Sequence, residues 1–167
     1  DRMEPHGDIR IMMRPEGWGW VIPLPGDRLS VGVVTREARA SARMVEDYVA
    51  ASPLLSAWTR GARASAPTLV GNYAYRNDAS RGARYVCVGD AACFLDPVFS
   101  SGVSLALAGA ERAATLLAPA LHAGAEGDPD LMTPFDDVMK DAYGAFASLI
   151  RRFYHTNMVS NLFFDAP

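Results

Sequence analysis

Three short runs rich in apolar residues lie between residues 8 and 34, and turn residues separate them. This pattern predicts three antiparallel strands over residues 8–14, 18–24 and 28–34, with Pro, Glu, Gly and Asp in the connecting turns. After residue 40 the apolar positions recur every three or four residues, which is typical of helices. A break at Ser52 divides this region into two short helices.

Two more strands are predicted in the middle of the chain. Residues 66–75 alternate loosely before a cluster of turn residues, and residues 84–88 form a strongly β-like run. The second run ends at Gly89-Asp90, where the chain leaves the predicted sheet.

Two long helices are predicted in the last third of the chain. The first begins at Gly102, is rich in Ala and Leu, and continues to about His122, just before Gly124. A polar loop separates it from a second helix, which begins near Thr133 and continues through Phe153.

The composition narrows the class of protein. The 167 residues are 50% hydrophobic, with a formal net charge of −3, so the sequence predicts a globular protein and disfavours nucleic acid and anionic lipid as partners. The longest stretch of apolar or small residues, 102–110, is too short to span a bilayer. Cys87 and Cys93 form no pattern typical of a disulfide framework or a zinc site, and no other metal site is predicted. Because no export signal is visible, we expect a cytoplasmic protein.

Asp90 is the first candidate binding residue. A carboxylate at the carboxyl end of a strand lies where ligands bind in open sheets, and it can accept hydrogen bonds from a polyol chain. Asp90 is therefore a candidate ligand for the sugar or ribitol of a cofactor. The alternative is a turn aspartate that caps local amides.

The start of the Gly102 helix is the second candidate. Its early turns carry small residues, which allow close approach to a backbone or a flat ring, and its first amides attract negative charge. The small residues are Gly102, Ala106, Gly109, Ala110 and Ala113. The alternative is an Ala-rich helix packed on a sheet.

Two motifs resemble those of a known family. Residues 89–103, Gly-Asp-Ala-Ala-Cys-Phe-Leu-Asp-Pro-Val-Phe-Ser-Ser-Gly-Val, resemble the second FAD-binding motif of glutathione-reductase-type flavoproteins, in the form seen in flavin-dependent halogenases. Trp18-Gly-Trp20-Val-Ile22-Pro23 resembles the Trp-x-Trp-x-Ile-Pro signature of the same halogenases. The two motifs occur in the order expected for that family.

The resemblance implies an α/β fold of the p-hydroxybenzoate hydroxylase type, of which this chain is the C-terminal portion without the N-terminal dinucleotide half. We expect a substrate-side antiparallel sheet with helices over residues 1–83, the second FAD-binding segment over 84–123, and the start of a C-terminal helical region over 124–167. No Gly-x-Gly-x-x-Gly fingerprint precedes Trp18. An upstream segment carrying this fingerprint is therefore an expected partner.

The resemblance also implies roles for individual residues. Asp90 would bind the ribitol, Pro97 would lie against the isoalloxazine ring, and the amides of Ser101 and Gly102 would bind the halide. The full set of implied cofactor-binding residues is Gly89, Asp90, Pro97, Ser100, Ser101, Gly102 and Val103.

Trp18 and Trp20 are the candidate active-site residues outside this segment. Because they are two apart on a strand, they point to the same face of the sheet. The resemblance implies a wall that keeps flavin and substrate apart, whereas the alternative is ordinary packing on a sheet face. The family's catalytic lysine precedes these tryptophans, and the single lysine here is Lys140, so we expect the catalytic lysine to lie outside this chain.

The implied function is halogenation. Reduced FAD, which a separate reductase supplies, would react with dioxygen, and the resulting flavin hydroperoxide would oxidise chloride or bromide. The product would be a halogenated aromatic compound of natural-product or antibiotic biosynthesis, free or tethered to a carrier protein. Two alternatives stay open: an FAD-dependent monooxygenase or isoprenoid-type flavin reductase of the same fold, and a non-catalytic remnant that acts as an interaction module.

The chain ends in an aromatic segment that includes Phe153, Tyr154 and residues 162–164. We expect these side chains to dock on the body of the protein or on a segment outside this chain. A lid over a substrate pocket is the alternative.

Overall fold

The computed structural model describes residues 7–14, 16–37, 40–156 and 158. The chain divides into two compact units, Asp1–Gly71 and Asn72–Pro167. The expected functional division at residues 83 and 123 stays a prediction. Pro15 of the first predicted turn, Asn157 and residues 162–164 lie outside the described part of the chain.

The first unit contains the predicted three-stranded antiparallel sheet. The strands follow one another in the order β1, β2, β3, so each pairs with its neighbour in sequence. Their bounds are β1 Arg10–Arg14, β2 Gly17–Leu24 and β3 Arg28–Thr35. Gly26 and Asp27 both take positive φ in the turn between β2 and β3, which is why this turn needs Gly and a short polar residue.

Two helices, α1 (Arg43–Ala51) and α2 (Pro53–Trp58), follow the sheet. The predicted break at Ser52 is confirmed and has a local cause. The Ser52 hydroxyl accepts a hydrogen bond from the amide of Leu55 at 3.3 Å and so caps α2, while Pro53 occupies the first helical position.

One face of the sheet packs against these helices. Val21, Tyr48 and Leu55 form the buried centre of the contact. The Tyr48 ring lies so close to Gly19 that any side chain there would overlap it. Glycine in the middle of β2 is therefore required by packing rather than by backbone conformation.

The second unit contains short strands. β4 (Tyr75–Arg76) pairs with β7 (Cys93–Phe94), and β5 (Arg81–Gly82) pairs with β6 (Tyr85–Val86), both antiparallel. Each ladder is two residues long. The sheet that the sequence predicts in this region is thus much reduced in the described structure.

Two strand predictions are wrong in extent. Residues 66–74 have no regular structure and are mostly exposed, so only Tyr75 of the predicted 66–75 strand is in a strand. The predicted strand over 84–88 is reduced to β6, because Arg84 takes a φ of +68° in the turn that leads into it. An alternating pattern is not enough for a strand, since each strand also needs a hydrogen-bonding partner of matching length.

The two long helices are confirmed. α3 spans Gly102–Ala123 and ends at Gly124, which takes the left-handed φ of +67° that the sequence indicates. α4 spans Thr133–His155, and Met132 precedes it without a side-chain cap. Two short 3₁₀ turns, Gly89–Ala91 and Pro97–Phe99, connect β6, β7 and α3.

The core of the second unit lies between α3 and α4. Ala113, Phe135 and Met139 are buried there, together with Met132. Gly109 of α3 leaves room for the side chains of Val88 and Met139, which an added Cβ would approach to 3.2 and 3.4 Å. Among the described residues no helix is both long and apolar enough to cross a bilayer.

Replacing Leu55 with Ala should destabilise the first unit by about 2–5 kcal/mol, because this side chain is 0% exposed and its loss leaves a cavity. Leu54→Ala is the matched control, since Leu54 is 48% exposed and should change stability by less than about 0.5 kcal/mol. Chemical denaturation of the purified proteins measures both. Equal losses for the two variants would contradict the described core.

Candidate functional site

The turn after β6 packs closely against helix α3, and the contact is made at a glycine. Gly89 is buried and has a φ of +60°, a conformation that L side chains rarely adopt. A Cβ added to Gly89 would lie 2.9 Å from the Cβ of Ala106, so the close approach also excludes a side chain. Glycine at this position is what lets the turn carrying Asp90 rest on the second turn of α3.

The Asp90 side chain is exposed. Its backbone carbonyl accepts a hydrogen bond from the Tyr75 hydroxyl, but no described residue donates to its carboxylate. The capping role that the sequence left open is therefore not seen in the described part of the chain. The carboxylate oxygens remain available to the hydroxyl groups of a ligand.

The Pro97–Phe99 turn is held by Asp96, a residue that the sequence did not indicate as part of the site. Asp96 Oδ1 accepts the amide hydrogen of Val98 at 2.9 Å, while Oδ2 accepts hydrogen bonds from the hydroxyls of Tyr154 at 2.7 Å and Tyr73 at 3.1 Å. The Asp-Pro pair was a visible signal for the cap. The sequence predicts that Tyr154 docks on the body of the protein, but it does not indicate that Tyr73 or Tyr154 binds Asp96, from which they lie 23 and 58 positions away.

Tyr73 acts as a hydrogen-bond donor to a carboxylate in a partly buried site. Burial, followed by the charge of Asp96 and the hydrogen bond to it, raises the pKa of the Tyr73 hydroxyl well above its usual value. The phenol therefore keeps its proton and remains a hydrogen-bond donor to Asp96.

The start of α3 is open. Its first hydrogen bond of helical spacing runs from the amide of Leu105 to the carbonyl of Ser101 at 2.9 Å, so the preceding amides have no partner within the helix. Ser101 is 6% exposed, Val103 is 72% exposed, and a Cβ added to Gly102 would meet nothing within 4 Å. No acidic residue lies in the first turn. This end of the helix can accept a negatively charged or carbonyl-bearing ligand.

The small residues of α3 serve two different purposes. Gly109 and Ala113 are buried against the rest of the second unit, and Ala106 faces Gly89. Packing therefore explains the small side chain at these three positions, but the packing partners are mainly helix α4 and the Gly89 turn, whereas the alternative predicted a sheet. Gly102, by contrast, borders open space, so its lack of a side chain is not explained by packing.

Trp18 and Trp20 lie on one face of the first unit's sheet, as predicted. Their ring centroids are 5.9 Å apart, with an interplanar angle of 53°. Trp18 is 2% exposed. The Trp20 indole covers Gly32 on β3 so closely that a side chain there would overlap it, and its Nε1 donates to Ser30 Oγ at 3.2 Å. The Trp20 ring is thus fixed in one orientation.

The end of α4 docks on the Pro97–Phe99 turn. Phe153 meets Phe99 edge to face, with ring centroids 5.8 Å apart, and Tyr154 binds Asp96. The docking prediction is confirmed for these two aromatic residues. Residues 162–164, which the same prediction included, lie outside the described part of the chain.

Lys140 is engaged in an ion pair. Its Nζ lies 2.8 Å from Asp136 Oδ2, and Arg81 lies 3.5 Å from the same oxygen. These pairs lower the pKa of Asp136, chiefly through the hydrogen bond from Lys140. They border a polar cavity of about 380 Å³, which none of the predicted cofactor residues lines.

Cys87 and Cys93 are free thiols, and burial raises the pKa of Cys93.

Gly89→Ala should destabilise the second unit by about 2–4 kcal/mol, from the left-handed backbone and the overlap with Ala106 together. Gly124→Ala is the matched control, because Gly124 has a similar φ but open space around it, and should cost only about 1 kcal/mol. Thermal unfolding measures both. Ala106→Gly by itself should cost about 1 kcal/mol, because glycine is a poor helix former. Combined with Gly89→Ala, it should give a loss smaller than the sum of the two single losses, and strictly additive losses would contradict the described contact.

The sequence of the chain is similar to those of known proteins. The family model for tryptophan halogenase matches residues 3–165. Flavin-dependent halogenase gsfI from Penicillium aethiopicum is 37% identical over 112 residues, covering 59% of this chain and 21% of that protein. Tryptophan 2-halogenase from Chondromyces crocatus is 29% identical over 175 residues, covering 97% of this chain and 33% of that protein. The chain thus spans about a fifth to a third of the length of these relatives.

The fold of the chain is also similar to those of solved flavin-dependent halogenases. A triple mutant of the flavin-dependent brominase Bmp2 matches with a TM-score of 0.78 and 26% identity, over 98% of this chain and 43% of that chain. CmlS, a flavin-dependent halogenase, matches with a TM-score of 0.67 and 29% identity, over 83% of this chain and 26% of that chain. These matches confirm the expected fold class, a mixed α/β fragment of an FAD-dependent halogenase fold. Since the family model covers nearly its entire length, the chain belongs to the tryptophan halogenase family.

Proposed function

We propose that the protein carrying this chain is an FAD-dependent halogenase, which oxidises chloride or bromide and transfers the halogen to an electron-rich aromatic carbon. The observation that carries this proposal is the family match over residues 3–165. The open start of α3 is compatible with it, as is the carboxylate of Asp90, which has no donor among the described residues.

The residues around Asp90 fit the ribitol and flavin portion of FAD. The exposed carboxylate of Asp90 would accept hydrogen bonds from ribitol hydroxyls, and Gly89 would hold that carboxylate beside α3. Pro97 is exposed in the next turn and would lie against the isoalloxazine ring. When bound, reduced FAD would supply the activation of dioxygen that halide oxidation requires.

The start of α3 would serve both the flavin and the halide. Ser100, Ser101, Gly102 and Val103 would follow the pyrimidine edge of the ring, where the positive end of the helix favours negative charge. The amides of Ser101 and Gly102 would bind the halide. Neutral amides suit this role, because they hold a halide less tightly than a lysine would and permit its turnover.

Trp18 and Trp20 would shape the active site without taking part in bond chemistry. The fixed orientation of Trp20, between Gly32 and Ser30, provides a rigid aromatic wall. Such a wall would keep the substrate from the flavin and direct the oxidised halogen toward the aromatic carbon.

Other parts of the enzyme would come from outside this chain. Lys140 is paired with Asp136, which supports the expectation that the catalytic lysine lies elsewhere in the protein. The ADP half of FAD would be held by a further segment, because this chain spans only a part of the length of its relatives. A separate flavin reductase would supply reduced FAD.

The free thiols of Cys87 and Cys93 are compatible with a reducing, cytoplasmic setting.

The substrate would be an electron-rich aromatic natural product, free or attached to a carrier protein. One relative is named as a halogenase of tryptophan, which is such an aromatic compound. An assay of the full-length protein with a flavin reductase, bromide and simple phenols, pyrroles or indoles tests the proposal. A brominated product, recognised by its isotope pattern in mass spectrometry, is expected.

The same assay separates the alternatives. A hydroxylated product without bromine would favour a monooxygenase, and a reduced double bond in an isoprenoid would favour a flavin reductase. A full-length protein that takes up no FAD would favour an interaction module and would reject the proposal.

Asp90→Asn should weaken FAD binding by about ten-fold, because a hydrogen bond to a charged acceptor contributes more than one to a neutral amide. Asp141→Asn is the control, since Asp141 is an exposed carboxylate of α4 outside the predicted site. Titration by flavin fluorescence measures both dissociation constants. An unchanged constant for Asp90→Asn would contradict the ribitol assignment.

Replacing Trp18 and Trp20 together with Phe should lower the yield of halogenated product per flavin oxidised and raise the release of hydrogen peroxide, because a smaller wall separates the reactants less well. Trp58→Phe is the control, since Trp58 packs with the helix-covered face of the same sheet. Product and peroxide are measured in the same reaction. If the double variant behaves like the control, the tryptophans do not direct the oxidant.

A further inference from the structure

Three parts of the second unit meet at a single carboxylate. Asp96 caps the Pro97–Phe99 turn through Oδ1, and its Oδ2 receives Tyr73 from the segment before β4 and Tyr154 from the last turn of α4. Both oxygens of Asp96 are thus occupied by donors from the protein itself. This distinguishes Asp96 from Asp90, whose carboxylate has no described donor.

Aromatic contacts strengthen the same junction. Phe153 packs edge to face against Phe99 at 5.8 Å and against Tyr154 at 5.1 Å, while Tyr73 packs edge to face against Phe94 at 6.0 Å. The hydroxyls therefore sit on rings that are themselves held in place. Such rings lose little further freedom when their hydroxyls bind Asp96.

The segment that follows this junction needs external support. Ser100 has a φ of +50°, which is uncommon for a residue with a side chain and persists only where the surroundings impose it. Its amide donates to the carbonyl of Pro97 at 2.9 Å, so its conformation is tied to the turn that Asp96 caps. The orientation of the first α3 amides depends in turn on Ser100 and Ser101.

We propose that Asp96 is a positioning residue, which through Tyr73 and Tyr154 holds residues 97–101 in the conformation that presents the first amides of α3 to the halide. This inference rests on the proposed function of residues 97–103. The end of α4 then contributes to the site, because Tyr154 and Phe153 contact Asp96 and Phe99 and so couple the position of that helix to the conformation of residues 97–101.

The variant that tests the proposal is Tyr73→Phe combined with Tyr154→Phe in the full-length protein. It removes two hydroxyls, keeps the ring contacts, and leaves the cap from Asp96 to Val98 intact. Tyr85→Phe is the matched control, because the Tyr85 hydroxyl donates to the carbonyl of Ala79 at 3.2 Å in the β5–β6 hairpin and makes no contact with Asp96.

Hydrogen–deuterium exchange measures the conformation of the loop without any cofactor. In the double variant, the hydrogen-bonded amides of Val98 and Ser100 should exchange about ten-fold faster, which corresponds to about 1.4 kcal/mol, while the centre of α3 keeps its protection. The control should leave the exchange of these two amides unchanged. Equal exchange in the double variant and the control, or a uniform increase that includes the centre of α3, would overturn the proposal.

Halide titration by flavin absorbance then tests the link to the site. The double variant should raise the halide dissociation constant about ten-fold and change that of FAD much less, because Asp90 and Gly89 are untouched. Faster exchange with unchanged halide binding would overturn the positioning role. A wild-type protein that binds neither FAD nor halide would instead reject the proposed function, and the exchange result would still show whether Asp96 holds the loop.

Discussion

The close contact between Gly89 and Ala106 is the constraint on which the arrangement of the second unit depends. A left-handed glycine turns the chain immediately after β6, and the absence of a side chain lets that turn rest directly on α3. Asp90 and the start of α3 are thereby placed on the same part of the unit. A side chain at position 89, or one larger than the methyl group at position 106, would push the turn away from the helix, and the two candidate binding features would separate.

Glycines act differently in the sheet of the first unit. Gly19 and Gly32 are in ordinary strand conformations, and what each provides is space for an aromatic ring, Tyr48 on one face and Trp20 on the other. The pleat of the sheet therefore separates a face covered by helices from a face that carries the tryptophan pair. The same three strands can therefore hold a buried core on one face and a fixed pair of tryptophans on the other.

The second unit combines satisfied and unsatisfied polar groups in a way that suits a binding site. Asp96 and Asp136 have their charges balanced by hydrogen bonds or ion pairs within the protein. Asp90 and the first amides of α3 lack such partners in the described structure. A protein that leaves some polar groups free while it fixes their neighbours is preorganised for a ligand, since little conformational freedom remains to be lost on binding.

The sequence by itself determined the elements with strong local signals, which are the three-stranded meander, the break at Ser52, and the helices that end at Gly124 and begin at Thr133. The sequence also made both motifs recognisable, because the residues of each motif are contiguous in the chain. Only the tertiary structure decided that residues 66–74 form no strand and that β6 is short, since a strand depends on partners that local pattern does not specify. It alone revealed Tyr73 and Tyr154 at Asp96, because hydrogen bonds between residues distant in the chain arise from packing and leave no periodic trace in the sequence.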